Sequence, residues 1–395
     1  MIDIMGKLLP KYVLKHIAKR LLFVYTLLWD GLNILTLPKS KGGGGIAIVK
    51  LDAIGDFILW LDSAKYYKEI YPGVPVTLIA NAAWAPLAEK LDLAWEAVLP
   101  VNFDSLTFSP WYRWKALRAI QKKGFDVVIN PTYSRVPTHD DAVARVAGAK
   151  EIIGSSGNLT NALSWEAKLT NQWYTQLVSA NPSPLVELER HQEFLRNGFG
   201  INYSLAVPVI PERLDEKVDL GKESYFVVFP GASSSMRRWP ARKFALLIRK
   251  LTQKYHSNVV LCGGATDQAL CSSILQDLDS QAAINLAGKT TLYQLAEVIR
   301  GAQFLISNET VAVHIGAAVA TKTVCLLGGG HYGRFFPYPD KLGKGRLIAV
   351  ANIMPCFNCN WLCTKTLTAE GVAPCIAEID VDQIIDGLST DSALL

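Results

Sequence analysis

Short apolar runs alternate with longer amphipathic stretches from Ile46 to about Gly154. The runs have the length of β-strands, and the stretches between them carry apolar residues at helical spacing. This alternation predicts an α/β fold in which a parallel, doubly wound sheet is covered by helices. The candidate strands are IAIVKL (Ile46–Leu51), PVTLIA (Pro75–Ala80), EAVLPV (Glu96–Val101), FDVVIN (Phe125–Asn130) and EIIG (Glu151–Gly154).

A second alternating series begins near residue 220, and its predicted helices lie at about 241–256, 267–277, 292–301 and 311–319. The residues before it, 155–219, are less periodic and indicate a helical connection followed by a linker. We therefore expect two doubly wound, Rossmann-like domains, 42–219 and 220–395, that face a cleft, with ligands at the carboxyl ends of the strands. The second set of candidate strands is YFVVF (Tyr225–Phe229), NVVLC (Asn258–Cys262), AINLA (within 282–287), FLIS (Phe304–Ser307) and TVCLLG (Thr323–Gly328).

The N-terminal segment, 1–41, has the pattern of an amphipathic helix. Lys7, Lys11, Lys15 and Lys19 recur every four residues, and apolar residues recur at helical spacing on another side. Such a helix can lie in an anionic membrane surface, or it can pack on the body of the protein or on a partner chain. The run GGGG that follows separates this helix from the first domain.

Charge and cysteine content narrow the function classes. The chain has a net charge of +5, and residues 1–41, with seven basic and two acidic residues, account for all of it. A general nucleic-acid surface is therefore not expected. No stretch reaches the roughly 18 apolar residues that span a bilayer, so we predict no spanning helix. Scattered cysteines indicate a reducing compartment, and we expect a cytoplasmic protein bound peripherally to the inner face of the cytoplasmic membrane.

The sequence LDAIGD (Leu51–Asp56) interrupts the first apolar run and predicts a strand-to-helix turn. Turns of this kind carry functional sites in doubly wound domains. Asp52 and Asp56 are the two carboxylates that this turn offers for chemistry.

The sequence FPGASSSMRRWP (Phe229–Pro240) also leads from a strand into a helix. Small residues such as Gly231 and Ser233 let backbone amides approach an anion, and Arg237 and Arg238 add positive charge near a helix N-terminus. We predict a diphosphate site, although the motif matches neither a Walker loop nor GxGxxG. Taken alone, it is equally consistent with an ordinary polar turn that has two solvated arginines.

A third strand-to-helix turn lies in ISNETVAVHIGAA (Ile306–Ala318). Glu309 is placed to accept hydrogen bonds from both hydroxyls of a ribose. Thr310 lies near a helix N-terminus where a phosphate could bind. His314 is consistent with a structural or a functional role. The glycine run that begins with Gly328 and Gly329 offers a further loop whose backbone a ligand could approach closely. The three strand ends together predict a pocket for a nucleoside diphosphate.

The three segments IVKLDAIGD, FPGASSSMRRWPARKFALLI and INLAGKTTLYQLAEVIRGAQFLISNETVAVHIGAAV resemble, in order and spacing, the ADP-heptose:lipopolysaccharide heptosyltransferases of glycosyltransferase family 9. The resemblance covers roughly 46–330. It implies a GT-B fold, an acceptor bound mainly by the N-terminal domain, an ADP-sugar bound by the C-terminal domain, and inverting transfer that needs no metal or other cofactor for catalysis.

The resemblance also implies roles for single residues. Asp56 corresponds to the catalytic base, with Lys50 and Gly55 beside it on the acceptor side, and Asp52 is interpreted as a helix cap. Arg237 corresponds to the basic residue on the diphosphate. Glu309 stands where the family more often has Asp, and the segment NPTYSRVPTHDD (Asn130–Asp141) lacks the pattern of lipopolysaccharide-core enzymes, so sugar and acceptor stay open.

Four cysteines, Cys356, Cys359, Cys363 and Cys375, lie close together after the last predicted strand. A CxxC pair with two further cysteines is consistent with a structural zinc or iron site, with free thiols or with disulfides. Similar cysteine clusters occur in iron-binding members of the superfamily that this sequence resembles. A metal here is expected to be structural.

The favoured function is therefore transfer of a heptose or related sugar to a hydroxyl of a lipopolysaccharide or other cell-surface glycan. The alternatives are the same fold acting with another nucleotide sugar, in capsule or O-antigen assembly or protein glycosylation, and a non-catalytic, membrane-attached assembly subunit. Expected partners are the ADP-sugar, a glycan or glycolipid acceptor and the anionic membrane, with oligomers also possible.

Overall fold

The computed structural model describes residues 11–36, 42–278 and 283–389. These residues form two six-stranded sheets, and every strand pairing in them is parallel. The predicted α/β class with two doubly wound sheets is therefore confirmed. The N-terminal helix is described from Lys11, so the predicted contribution of Lys7 lies outside the described residues.

The first sheet has the strand order β3-β2-β1-β4-β5-β6. Its central strand β1 pairs with β2 on one side, Ile46 opposite Val76, and with β4 on the other, Ile46 opposite Val127. The strands are β1 Ile46–Lys50, β2 Val76–Asn81, β3 Ala97–Val101, β4 Val127–Asn130, β5 Glu151–Ser155 and β6 Gln176–Val178.

The helices that accompany the first sheet are preceded by the long helix α1. A five-residue π-helical turn, Pro137–Asp141, leads into α7. The helices are α1 Lys11–Thr36, α2 Ile54–Ala64, α3 Tyr67–Ile70, α4 Ala85–Ala88, α5 Phe103–Phe108, α6 Pro110–Lys122, α7 Ala142–Ala147, α8 Ser164–Asn171 and α9 Glu187–Phe199.

The second sheet has the order β12-β11-β10-β7-β8-β9, which repeats the order of the first sheet when its strands are counted from β7. Its strands are β7 Tyr225–Phe229, β8 Asn258–Leu261, β9 Ala283–Asn285, β10 Leu305–Asn308, β11 Thr323–Leu326 and β12 Leu347–Val350. Its helices are α10 Ala241–Tyr255, α11 Gln268–Gln276, α12 Leu292–Arg300, α13 Val311–Ala318, α14 Pro374–Ala377 and α15 Val381–Ser389. β6 and β12 were not predicted, whereas the other ten strands match the apolar runs.

Each sheet has its own apolar core. In the first, Val49 of β1 and Val128 of β4 pack with Leu117 of α6 and Val143 of α7. In the second, strand residues pack against α10, and Trp239 in the preceding loop is 1% exposed. Burial of this apolar surface is the main driving force for both folds, at roughly 25 cal/mol for each Å² removed from water.

The chain divides by its contacts into two units. The first contains the described residues of Met1–Ala53 with Ser63–Pro182 and Arg190–Tyr203. The second contains Ile54–Asp62, Ser183–Glu189 and the described residues of Ser204–Leu395. This division differs from the predicted boundary at 219/220, and hydrogen bonds of the linker explain the difference.

The linker after residue 204 is bonded to the second unit along its length. The Ile210 amide donates to Ala318 O (3.0 Å), and Arg300 donates to Ile210 O (2.7 Å). The Tyr293 hydroxyl donates to Pro211 O (2.9 Å). Because these buried backbone groups find their partners in the second unit, the linker belongs to it structurally.

Helix α1 is attached to the first unit through a buried ion pair. Arg113 of α6 donates from Nε and Nη2 to the two carboxylate oxygens of Asp30, at 2.7 and 2.5 Å. Its Nη1 donates to the carbonyls of Leu106 and Thr138. A guanidinium that is 1% exposed is stable there only with such complete pairing, so Asp30 fixes the position of α1.

Candidate active site

The strand order places two pairs of strand ends at positions where the winding of a sheet reverses. These positions lie between β1 and β4 in the first sheet and between β7 and β10 in the second. In open α/β sheets, ligands bind beside the carboxyl ends of the strands at such positions. The predicted motifs follow β1, β7 and β10, so each one starts at one of these strand ends.

The loop after β7 turns at Gly231, which packs closely against the side chain of Asp267. A Cβ at Gly231 would lie 2.3 Å from Oδ2 of Asp267, which is closer than side-chain atoms can approach. The loop continues through a short 3₁₀ turn, Ser235–Arg237, whose first amides are capped by Ser234. The helix begins at Ala241, and Pro240 is its N-cap residue.

Arg237 lies against the loop after β10. Its Nη2 donates to the backbone carbonyl of Glu309 (2.7 Å) and lies 3.8 Å from carboxylate Oε2 of the same residue. Its Nη1 donates to Ser233 Oγ (3.3 Å). The structure thus brings Ser233, Arg237 and Glu309 together, and their role in donor binding stays a prediction.

Glu309 carries a buried carboxylate that has no hydrogen-bond partner on either oxygen. The side chain is 5% exposed, and burial raises its pKa from 4.5 to about 7, although Arg237 acts in the opposite direction. An unsatisfied buried carboxylate costs free energy. This group is therefore prepared to accept hydrogen bonds from a bound molecule.

Asn308 connects the two loops and was not singled out from the sequence. Its Nδ2 donates to the carbonyls of Pro230 (2.7 Å) and Gly231 (3.3 Å), and its Oδ1 accepts from the Trp239 amide (3.2 Å). The side chain is fully buried. An Asn that ends an apolar strand and precedes a carboxylate is the signal that could have identified it.

Thr310 is the N-cap of α13, as its predicted place near a helix N-terminus implies. Its Oγ1 accepts from the Ala312 amide (3.4 Å) and lies 3.1 Å from Ser307 Oγ. The first amides of α13 therefore stand directly beside Glu309, where a helix N-terminus favours an anion.

Arg238 has a different environment from Arg237. Its Nε and Nη2 both donate to Ala232 O, at 3.1 and 3.0 Å, and Nη2 lies 3.8 Å from Asp267. The guanidinium therefore braces its own loop. Of the two arginines, Arg237 is the one that contacts the carboxylate turn.

The glycine loop after β11 is covered by the cysteine-rich segment. A Cβ at Gly328 would lie 2.4 Å from the Trp361 ring, and one at Gly329 would lie 2.2 Å from the Phe357 ring. The predicted close approach at these glycines is real, but the structure fills it with aromatic side chains of the same chain. Their assignment to donor binding stays a prediction that depends on backbone atoms alone.

Trp361 connects the cysteine-rich segment to the arginine. The guanidinium carbon of Arg237 lies 5.1 Å from its ring centroid, the geometry of a cation–π contact. Trp361 has a φ of +59°, a left-handed conformation that is strained for a bulky residue. Strain of this kind persists where the surroundings over-determine it, which here are Gly328, Gly330 and Arg237.

Asp56 lies in the first turn of α2 and is partly exposed. The residue before it, Gly55, packs on His314 of α13, and a Cβ at Gly55 would come within 3.2 Å of the imidazole. His314 is fixed by a 2.9 Å contact between Nδ1 and the Tyr338 hydroxyl, and burial lowers its pKa to about 4. A neutral His314 therefore supports the turn of the predicted base.

Asp52 is not a helix cap, and the prediction of that role was wrong. The N-cap of α2 is Ala53, which makes no side-chain cap bond. The carboxylate of Asp52 instead forms an ion pair with Lys50 at the end of β1, where the lysine is 1% exposed. A buried ammonium requires a counter-charge, and Asp52 supplies it.

Further titratable groups line the same edge of the first sheet. Asp140, in the π-helical turn after β4, is fully buried, and burial raises its pKa to about 8, with the charge of Asp52 acting in the same direction. Burial, helped by the charge of Lys50, lowers the pKa of His191 well below its usual value. Sequence reasoning did not select these two residues, because nothing in their spacing marks them.

The four clustered cysteines, Cys356, Cys359, Cys363 and Cys375, line one small cavity together with Phe357 and Trp361. All are free thiols in the structure. Burial raises the pKa of Cys375, and the three neighbouring cysteines raise it further. Among the described residues, however, no three His, Cys, Asp or Glu side chains are arranged as metal ligands. The thiols converge without forming a finished ligand set, so the metal site stays a prediction.

Two doubly wound sheets of the same order, one carrying a basic loop, a buried carboxylate and a helix N-terminus at its switch point, constitute the GT-B fold of nucleotide-sugar transferases. The family model for glycosyltransferase family 9 (heptosyltransferase) matches residues 113–360, which is more than half of the chain. The chain belongs to this family.

Relatives and solved structures agree with this assignment. Lipopolysaccharide heptosyltransferase 2 of Salmonella typhimurium is 33% identical over 298 residues, covering 72% of this chain and 82% of that protein. Lipooligosaccharide heptosyltransferase 2 of Campylobacter jejuni is 32% identical, but the match spans 32% of this chain and only 40% of that relative's length. The structure of E. coli ADP-heptose lps heptosyltransferase II superposes with a TM-score of 0.67 at 18% identity, covering 88% and 98% of the two chains.

The burial of Glu309 makes stability depend on pH. Because the folded state binds this proton more tightly than the unfolded state, the free energy of unfolding falls as pH rises from 4.5 to about 7. Glu309→Gln should remove this loss, and above pH 7 the variant should be more stable by up to about 3 kcal/mol. Urea unfolding at pH values on both sides of this window measures it.

The exposed Glu370 provides the matched control for this experiment, since Glu370→Gln changes the same chemical group without burial. Parallel pH curves for the wild type and the Glu309→Gln variant would contradict the assignment.

For the cysteine cluster, we predict about one zinc or iron per chain in protein purified without chelators. Cys359→Ser should lower the thermal unfolding temperature more than it lowers intrinsic activity, because a metal here would hold together the segment that packs against the Gly328 loop. Elemental analysis and thiol alkylation test this prediction. Absence of both metals, together with four alkylatable thiols, would contradict it. Cys262→Ser, at a buried cysteine outside the cluster, is the control for metal content and should leave it unchanged.

Proposed function

We propose that this protein is an inverting glycosyltransferase that moves a heptose or related sugar from an ADP-sugar to a hydroxyl of a lipopolysaccharide or other cell-surface glycan. The observation that carries the proposal is the ion pair of Arg237 with Glu309, whose buried carboxylate oxygens have no hydrogen-bond partner, at the switch point of the second sheet. Family membership and the name of the superposed E. coli heptosyltransferase support ADP-heptose as donor.

The donor half of the site follows from charge. A nucleoside diphosphate leaves with increasing negative charge, and Arg237, the small-residue loop and the N-terminus of α13 offer positive potential where that charge develops. Ionised Glu309 accepts hydrogen bonds from the ribose hydroxyls. These bonds supply the partners that its two carboxylate oxygens otherwise do not have. The proposal assigns charge compensation to the guanidinium group and requires no catalytic metal.

The acceptor half requires a base. Asp56 accepts the proton of the acceptor hydroxyl while its oxygen bonds to the anomeric carbon and the bond from that carbon to the diphosphate oxygen breaks. A single displacement of this type inverts the anomeric configuration. The His314 ring against Gly55 fixes the start of the helix that carries Asp56.

The polar edge of the first sheet is the proposed acceptor side. Lys50 is neutralised by Asp52, so its role is to shape this edge more than to attract an anion. The proposal therefore identifies the acceptor by its reacting hydroxyl group and not by an anionic group that would bind Lys50. We place the reaction at the cytoplasmic face of the membrane, where lipid-linked glycans are assembled.

Asp56→Asn should abolish transfer, by about a thousandfold or more, and leave ADP affinity nearly unchanged, because Asn preserves shape and cannot take the proton. The measurement combines ADP-heptose turnover with calorimetric ADP binding. Asp104→Asn is the matched control, since Asp104 also lies in the first turn of a helix that follows a strand. Retained turnover with lost ADP affinity would refute the role of Asp56.

A further inference from the structure

Helix α1 has an apolar face that the described part of the protein leaves exposed. Leu28 is 66% exposed, Leu32 59% and Leu35 83%. These residues, together with Leu21 and Val24, form a stripe at a spacing of three or four residues, which we call the outer stripe. An exposed apolar stripe this long indicates a binding surface.

The outer stripe faces away from the protein because the opposite side of α1 is buried. The buried side chains are Phe23, Thr26, Asp30 and Asn33, all at most 3% exposed. Asp30 is held by the two hydrogen bonds from Arg113. The helix therefore cannot rotate to hide its leucines without breaking a buried ion pair.

The charge around α1 identifies the partner. Asp30 is the one acidic residue of Lys11–Thr36, and Arg113 neutralises it. The whole segment 1–41, with both of its acidic residues counted, has a net charge of +5. A second copy of this chain would bring an N-terminal segment of the same net charge, whereas an anionic surface would complement that charge.

The adjoining helix α6 has the composition of a lipid interface. The rings of Trp111 and Trp114 stack at 5.0 Å, Lys115 Nζ lies 5.1 Å from the Trp111 ring, and Arg118 lies 4.4 Å from the Trp114 ring. Trp111 is 61% exposed. Paired tryptophans with basic residues over them favour the boundary between headgroups and acyl chains.

We propose that α1 lies in the plane of an anionic phospholipid bilayer, with the outer stripe among the acyl chains and with the net positive charge of the N-terminal segment attracted by the headgroups. Among the described residues, no helix is both long and apolar enough to cross a bilayer. In-plane binding uses the area that the helix offers. The surface acts through α1 and α6 of the first unit, so it does not depend on the proposed sugar transfer.

Co-sedimentation of the full chain with phosphatidylglycerol-containing vesicles and with neutral phosphatidylcholine vesicles tests this surface. The double variant Leu28→Ser/Leu32→Ser should partition at least about tenfold more weakly onto anionic vesicles, since it removes two inserted side chains. Wild-type binding should fall with added salt and be weak on neutral vesicles. Leu214→Ser, at a leucine 73% exposed in the second unit, should bind like the wild type.

Point substitutions are preferable to deletion of α1, because deletion would leave buried Arg113 without its carboxylate. Equal vesicle binding by the double variant, or binding that salt does not weaken, would overturn the proposal. So would a wild-type dimer in light scattering that the double variant converts to monomer, because the stripe would then be an interface between copies. Transfer to a soluble, lipid-free acceptor should be unchanged in the double variant, which separates this surface from the catalytic proposal.

Discussion

The buried side-chain amide of Asn308 holds together the part of the protein on which the proposed chemistry depends. Its amide group bonds the backbone on both sides of the loop after β7, at Pro230, Gly231 and Trp239, while its own backbone ends β10. A buried amide must find such partners or cost a few kcal/mol. The two loops therefore cannot separate, and Arg237 remains beside Glu309.

Two buried arrangements of charged side chains differ in whether their hydrogen bonds are complete, one serving stability and the other the proposed function. In the first unit, Arg113 and Asp30 satisfy each other, and Arg113 also uses two backbone carbonyls, so the arrangement is closed and fixes a helix. In the second unit, Arg237 donates a hydrogen bond to the backbone of Glu309, while both carboxylate oxygens of Glu309 have no hydrogen-bond partner. An arrangement with unsatisfied hydrogen-bond acceptors lowers the stability of the ligand-free protein and makes ligand binding more favourable, as expected at a functional site.

The sequence predicted most strands because buried parallel strands appear as continuous apolar runs. The two that it missed, β6 and β12, are edge strands of three and four residues that are only partly buried. The motifs at the strand ends were found for a related reason, since a polar interruption between apolar segments marks a turn. Their mutual contacts, such as that of Arg237 with Glu309, depend on strand order, which periodicity does not contain.

Other features followed from tertiary packing and could not be foreseen. The inner face of α1 is partly polar, so hydropathy alone could not show that Asp30 and Asn33 face the body while leucines face outward. Asp52 has the composition of a cap but pairs with Lys50, because the neighbouring buried ammonium needs a counter-charge more than the helix needs a cap. The glycines after β11 receive aromatic rings from a segment some thirty residues later.

We propose that the loops after β7 and β10 form an ADP-sugar site centred on Arg237. Calorimetric titration with ADP, UDP, GDP and CMP measures this directly. We expect ADP to bind selectively and Arg237→Ala to weaken ADP binding at least about tenfold, whereas Arg249→Ala, at an exposed arginine on α10, should leave ADP binding unchanged. Equal binding of all four nucleotides, or full ADP affinity in Arg237→Ala, would contradict it.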